Sequence, residues 1–210
     1  MTIHKPYLGI VKHYENCFIE HGDNHKGVDW PNEQDARIRY RVMLDLIRDN
    51  TTTAISLLDY GCGLSHLYAY LLEKQHSNIH YTGLDISSRF IEQCRQKYPD
   101  NCYLQMDIMD DDNTLPQFDY IIANGVYTEK KDLSYQEMET YFFASLKKLF
   151  DHAKYGLAFN VMSIFVDWQR DDLFHCSFDK IAKFVRNEIT KNFCFRQDYQ
   201  LHEFTCYLYR

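Results

Sequence analysis

Short apolar runs alternate along this chain with longer stretches in which apolar residues recur every three or four positions. The runs at 57–60, 79–86, 101–105, 118–123, 156–162, 193–196 and 204–209 read as strands. The stretches at 31–48, 64–75, 87–98, 134–151 and 178–190 read as helices. In the first of these, Pro31 and Asn32 open the helix, and Ile38, Val42 and Leu46 form its expected buried face. Helix alternating with strand is how a mostly parallel sheet covered on both faces is written in sequence. The last two runs are too close together for a parallel crossover, so they pair antiparallel.

The first strand runs into Leu57-Leu58-Asp59-Tyr60-Gly61-Cys62-Gly63-Leu64-Ser65-His66-Leu67, in which two spaced glycines precede a helix. Glycine lets the backbone turn sharply and approach a ligand, and the following helix offers free N–H groups. A bare Gly-x-Gly is also what a tight strand-to-helix turn requires, so the flanking residues carry the distinction. A dinucleotide loop wants a small residue at the sixth position, where this chain has His66. Asp59 ahead of the glycines suits a cation and repels a pyrophosphate. S-adenosylmethionine (SAM), with its sulfonium charge and no phosphate, fits better than NAD.

Later strand ends extend the pattern. The second strand closes on Asp85, with Ile86 beside it, at the distance past the glycines where an acid accepts both ribose hydroxyls of an adenosine. The third leads into Asp107 and Ile108, an acid and an apolar neighbour suited to an adenine amino group and ring face. The fourth opens into Asn124-Gly125-Val126-Tyr127. In open α/β sheets ligands sit at the carboxyl ends of the strands, where these four loops converge. The acceptor then approaches past the N-terminal segment, the 124–131 loop and the loop after Asn160.

Taken together, these motifs resemble the class I, Rossmann-like SAM-dependent methyltransferases over about residues 54–210. The resemblance implies a three-layer sandwich: a mostly parallel seven-stranded sheet with a C-terminal antiparallel hairpin. It assigns Asp59, Gly61, Cys62, Gly63, Asp85, Ile86, Asp107, Ile108, Asn124 and Gly125 to SAM and to its product, S-adenosylhomocysteine. Ser65 replaces the usual third glycine and Cys62 occupies a variable position. The stretches 21–30, 198–199 and 203–209 are also similar to a subgroup of small bacterial methyltransferases, some encoded among surface-polysaccharide genes. That similarity implies transfer to O or N of a small polar acceptor, with a sugar or amino sugar as the example.

At 210 residues and 45% hydrophobic the chain is expected to form one domain, with 1–50 as a helical cap and substrate segment and 54–210 as the core. No membrane span or secretory leader is read, so the cytoplasm is expected. A net charge of −7 argues against a nucleic-acid surface. Seven scattered cysteines without Cys-x-x-Cys point to reduced thiols. His4, His13, His21 and His25 match no tight zinc spacing, and no metal is expected. Asp110 to Asn113 reads as a solvated loop, and the oligomeric state is left open.

Methyl transfer needs donor and acceptor aligned and water excluded, with a base only if the acceptor must lose a proton. His13, His21, His25, His66 and Tyr127 are the candidate bases, each weighed against a structural role; His66 and Tyr127 are taken forward as catalytic. Tyr127 also offers an aromatic face to the sulfonium. His25, Trp30, Tyr127 and Asn160 are assigned to the acceptor. Arg39 is assigned to the methionine carboxylate, against a surface pair with Asp35. The competing functions are an NAD-dependent oxidoreductase and a non-catalytic SAM-binding subunit.

Overall fold

The computed structural model describes residues 5–48, 54–110 and 114–210; His4 and most of the expected solvated loop at 110–113 lie outside them. Helix α1 (Leu8–His21) is followed by a 3-10 turn (His25–Val28) and α2 (Glu33–Leu44). Then come β1 (Ile55–Tyr60), α3 (His66–Glu73), β2 (Ile79–Asp85), α4 (Ser88–Lys97), β3 (Cys102–Gln105) and β4 (Phe118–Ala123). The chain closes with α5 (Tyr135–Asp151), β5 (Ala153–Ser163), β6 (His175–Cys176), α6 (Phe178–Glu188), β7 (Asn192–Arg196) and β8 (Glu203–Tyr209).

The strands form one sheet in the order β3-β2-β1-β4-β5-β8-β7, and the two-residue β6 pairs with β5 off that path. The pairs among β1 to β5 are parallel, whereas β8 lies antiparallel to both β5 and β7. This is the expected parallel sheet closed by an antiparallel hairpin, with β6 as an addition too short to leave a periodic signal. Strand order reverses beside β1, which sits between β2 and β4. The crevice at the carboxyl ends of β1 and β4 is therefore the ligand position for an open α/β sheet.

Both faces of the sheet are buried, which explains why the strands read as continuous apolar runs. Leu58, Ile121, Leu157 and Phe204 pack on one side with Met138, Phe142 and Leu146 of α5 and Ile181 and Val185 of α6. Their chain neighbours Leu57, Ile122 and Ala158 face the other side, against α2, α3 and α4 through Tyr40, Met43, Leu67, Leu71 and Ile91. Successive strand residues point to opposite faces, so one run supplies both cores.

Local signals set most helix starts. The Asn32 side chain accepts from Asp35 N at 2.8 Å, and Ser134 with Glu137 forms a capping box. Helix α2 is shorter than the expected 31–48, and its buried stripe is Ala36, Arg39, Tyr40, Val42 and Met43. Ile38 is only partly buried; the stripe is turned so that an arginine faces inward. Among the described residues no helix is long and apolar enough to cross a membrane.

Candidate active site

The turn after β1 places three residues in the left-handed region: Gly61 (φ 72°), Gly63 (φ 51°) and Ser65 (φ 60°). At Gly61 a Cβ would lie 2.5 Å from Val126 Cγ2, so both space and backbone conformation require glycine. Ser65 occupies its less favourable conformation with its hydroxyl buried against Tyr103 Oη (2.8 Å) and Tyr81 Oη (3.2 Å). These bonds tie the loop to β2 and β3 and offset the cost of a side chain where glycine is usual. Gly61 N and Cys62 N both donate to Leu84 O, at 2.8 and 3.0 Å. Cys62 is buried, and the Cys94 thiol of α4 donates to Gly63 O at 3.2 Å.

Three carboxylates line the resulting cleft. Asp59 accepts from Tyr81 Oη at 2.7 Å, and burial pushes its carboxyl up to about 7 although that bond pulls it down. Asp85 accepts from Gly63 N and Ser87 N, both at 2.9 Å; burial outweighs these donors and raises it to about 6. Asp107 accepts from Lys5 Nζ at 2.6 Å, Tyr7 Oη at 2.8 Å and Met109 N at 2.9 Å. Among the described residues, Asp59 and Asp85 have no cationic partner. Two such carboxylates make a site that favours a cationic ligand.

The cleft is covered by Tyr7 and by Ile10, Val11 and Tyr14 of α1. Its far wall is Trp30, which packs on Gly125: a Cβ there would meet the indole at 2.8 Å, and φ is +77°. Gly125 N donates to Asn160 Oδ1 at 2.7 Å, and Asn160 Nδ2 donates to Glu203 Oε1 at 2.8 Å. Glu203 in turn holds Arg39 through two bonds of 2.6 Å, and the guanidinium lies 4.1 Å over the Trp30 ring. Asn124 Oδ1 is buried at the cleft without a hydrogen bond, an acceptor waiting for a donor.

Several sequence-assigned residues stand elsewhere. Arg39 is 9% exposed and does not line the cleft; its charge is committed to Glu203, not to a surface pair with Asp35, which caps with Asn32. Tyr127 is fully buried against Phe142 and Phe159, with its hydroxyl 2.9 Å from Ser145 Oγ, so it neither covers a sulfonium nor meets an acceptor. Ile108 points into the core beneath the sheet, and Met106 and Ile86 supply apolar cleft wall in its place. Asn160 is buried behind Gly125 as a support. His25 lies in the 3-10 turn outside the cleft lining, where its carbonyl accepts from Trp30 N at 2.8 Å.

Asp59, Gly61, Cys62, Gly63, Asp85, Ile86, Asp107, Asn124, Gly125, Trp30 and His66 do come together around the cleft. His66 Nε2 lies 2.7 Å from Asp23, which Lys97 also holds at 2.8 Å; the hydrogen bond from His66 keeps the Asp23 carboxyl down at about 2. Sequence reasoning missed Tyr7, Tyr14, Tyr60 and Tyr141. Tyr7 stacks on Tyr141 at 4.4 Å, and Tyr141 Oη is 3.0 Å from Tyr60 Oη. It missed Glu203 as well. Tyrosine abundance was the one available signal, and it does not say which tyrosines share a cavity.

The family described as "Methyltransferase domain" matches residues 58–141, the span that holds the glycine loop and all three carboxylates. This central stretch of the chain is thus similar to a methyltransferase domain. Its fold is similar to that of magnesium protoporphyrin IX methyltransferase from Synechocystis PCC 6803, solved with bound SAM: TM-score 0.67, 14% identity, covering 100% of this chain and 99% of that one. It is similar to a TehB-like SAM-dependent methyltransferase from Corynebacterium glutamicum as well, with TM-score 0.59, 14% identity and coverage of 95% and 98%. The plantazolicin methyltransferase, solved with a pentazolic desmethylPZN analogue and S-adenosylhomocysteine, gives TM-score 0.57, 12% identity and coverage of 97% and 90%. No curated protein matches the sequence. The fold thus serves acceptors as different as magnesium protoporphyrin IX and plantazolicin, and a shared fold does not fix the acceptor.

Proposed function

We propose that this methyltransferase acts on an oxygen or nitrogen of a small polar molecule, with sugars and amino sugars of surface-polysaccharide synthesis as the first class to test. The observation that carries this reading is the cleft beneath α1, in which a wall of aromatic rings faces the carboxylates at the strand ends. Tyr7, Tyr14, Trp30, Tyr60 and Tyr141 offer ring faces to the apolar side of such a molecule, and carboxylates offer acceptors to its hydroxyl or amino groups. The net charge of −7 opposes a phosphate backbone. Seven unpaired cysteines suit a reducing compartment, so we place the protein in the cytoplasm.

SAM supplies an electrophilic methyl group on a sulfonium; the chain binds, orients and excludes water. In this proposal Asp85 accepts from the ribose hydroxyls, Ile86 and Met106 flank adenine, and Asp107 accepts from its amino group. Asn124 Oδ1 accepts from the ammonium end, and the Gly61–Gly63 turn admits the methionine chain. Asp59 contributes charge. His66, the one imidazole lining the cleft among the described residues, takes the proton of a hydroxyl acceptor. Residues 1–50 act as the cap over a core at 54–210 within a single domain.

The test is incubation with SAM and a panel of sugars, amino sugars and aliphatic amines, reading S-adenosylhomocysteine by mass spectrometry. Product with one of these classes, absent without enzyme, supports the assignment; turnover only with an oligonucleotide or a protein overturns it. Asp85→Ala should weaken SAM binding by roughly 1.5–3 kcal/mol through loss of charge-assisted hydrogen bonds. Calorimetry reads that loss, and an unchanged Kd removes Asp85 from the ribose.

A further inference from the structure

On the solvent side of α1, His13 and Cys17 stand one helical turn apart and face Asp29, which follows the 3-10 turn. His13 Nε2 is 2.6 Å from Asp29 Oδ2 and 3.6 Å from Cys17 Sγ. One ligand atom from each of the three residues lies within 4.8 Å of the others. We infer that His13, Cys17 and Asp29 form a binding site for a divalent transition-metal ion of the zinc class.

Three observations carry this. The donors are an imidazole nitrogen, a thiol sulfur and a carboxylate oxygen, a set that suits zinc or cobalt and not the oxygen-seeking magnesium or calcium. The spacing is close to what a tetrahedral ion needs: ligand bonds of about 2.0–2.3 Å put donor atoms about 3.3–3.8 Å apart. The Cys17–His13 separation already falls in that range, and the His13–Asp29 contact has to open by less than about 1 Å. Finally, Cys17 and His13 are half-buried on one helix, so two of the three donors are held by backbone already ordered.

Lys131 opposes the cation, since its Nζ is 3.3 Å from Asp29 Oδ2. It has other anchors in Glu129 at 2.8 Å and Asp172 at 3.7 Å, and it can settle on these when a metal takes Asp29. Binding converts the Cys17 thiol to a thiolate and releases its proton to solvent. The ion would join α1 to the turn that leads into Trp30. Tyr14, the neighbour of His13, lines the cleft on one side and Trp30 lines it on the other. A metal here therefore ties two walls of the cleft together outside the cofactor loops.

The experiment is titration of the metal-free, full-length protein with cobalt(II) chloride, followed by absorption spectroscopy. The expected result is one equivalent of cobalt with a thiolate-to-cobalt charge-transfer band, displaced by zinc chloride. Cys17→Ser and His13→Ala should abolish the band, while Cys102→Ser and Cys194→Ser, at exposed thiols elsewhere, should keep it. Lys131→Ala should tighten cobalt binding severalfold by removing the opposing charge. No band at saturating cobalt, or the same band in folded Cys17→Ser, overturns the site. Calorimetric SAM binding confirms that each variant is folded, and the cobalt readout does not depend on methyl transfer.

Discussion

Asp59→Asn tests the central electrostatic argument, because it removes one buried negative charge and keeps an oxygen to accept from Tyr81. Burial raises the Asp59 carboxyl from an ordinary 3.8 to about 7. The folded state therefore holds this proton more tightly than the unfolded chain. The resulting stability is fully present below about pH 4 and is lost as pH rises through the folded value near 7. At 1.36 kcal/mol per pH unit, the part of the window between about pH 5.5 and 7 is worth about 2 kcal/mol. For a chain of this size that corresponds to about 4–8 °C in Tm. Melting curves of the apo protein from pH 5.5 to 8 should show wild type losing this much relative to Asp59→Asn. Any fixed packing cost of the amide cancels in the comparison of slopes. SAM affinity should run the opposite way, rising with pH in wild type as the carboxylate forms. The variant should bind SAM about 1–3 kcal/mol more weakly and S-adenosylhomocysteine, which lacks the sulfonium charge, with a smaller loss. Parallel pH–stability curves, or equal losses for the two ligands, would refute the reasoning.

Other substitutions probe the supports of the cleft. Gly125→Ala adds a methyl group 2.8 Å from the Trp30 ring at a backbone φ of +77°; a loss of about 1–3 kcal/mol in urea unfolding is expected, together with weaker SAM binding by calorimetry. Glu203→Gln leaves the Arg39 guanidinium buried and uncompensated, which should cost about 3–5 kcal/mol; a change under 1 kcal/mol in the same assay would show that the pair is not what holds β8 to α2. Tyr127→Phe removes one buried hydrogen bond to Ser145, so stability should fall by about 1 kcal/mol while kcat for an identified acceptor stays within about twofold. A hundredfold loss of kcat would return Tyr127 to the chemistry.

Strand ends, the glycine turn and the acids that follow them were legible because they rest on local physics. Gly61 and Gly63 are required by backbone sterics over a few residues, continuous apolar runs mark the strands, and parallel pairing brings the carboxyl ends of β1 to β4 to one edge. Asp59, Asp85, Asp107 and Asn124 therefore meet without any knowledge of long-range packing. The tertiary structure decided which way side chains point and whom they meet. Asp107 faces the cleft, and the next residue, Ile108, turns into the core. Arg39 does find a carboxylate, but it is Glu203, 164 positions away on an antiparallel strand, and no local pattern links the two. Tyr127 carries the right group for a cation or an acceptor, and the packing of α5 on the sheet gives its hydroxyl to Ser145. Residue type and spacing settle what the backbone does over a turn or a strand. The partner of a buried side chain is set by which distant element the whole core presses against it.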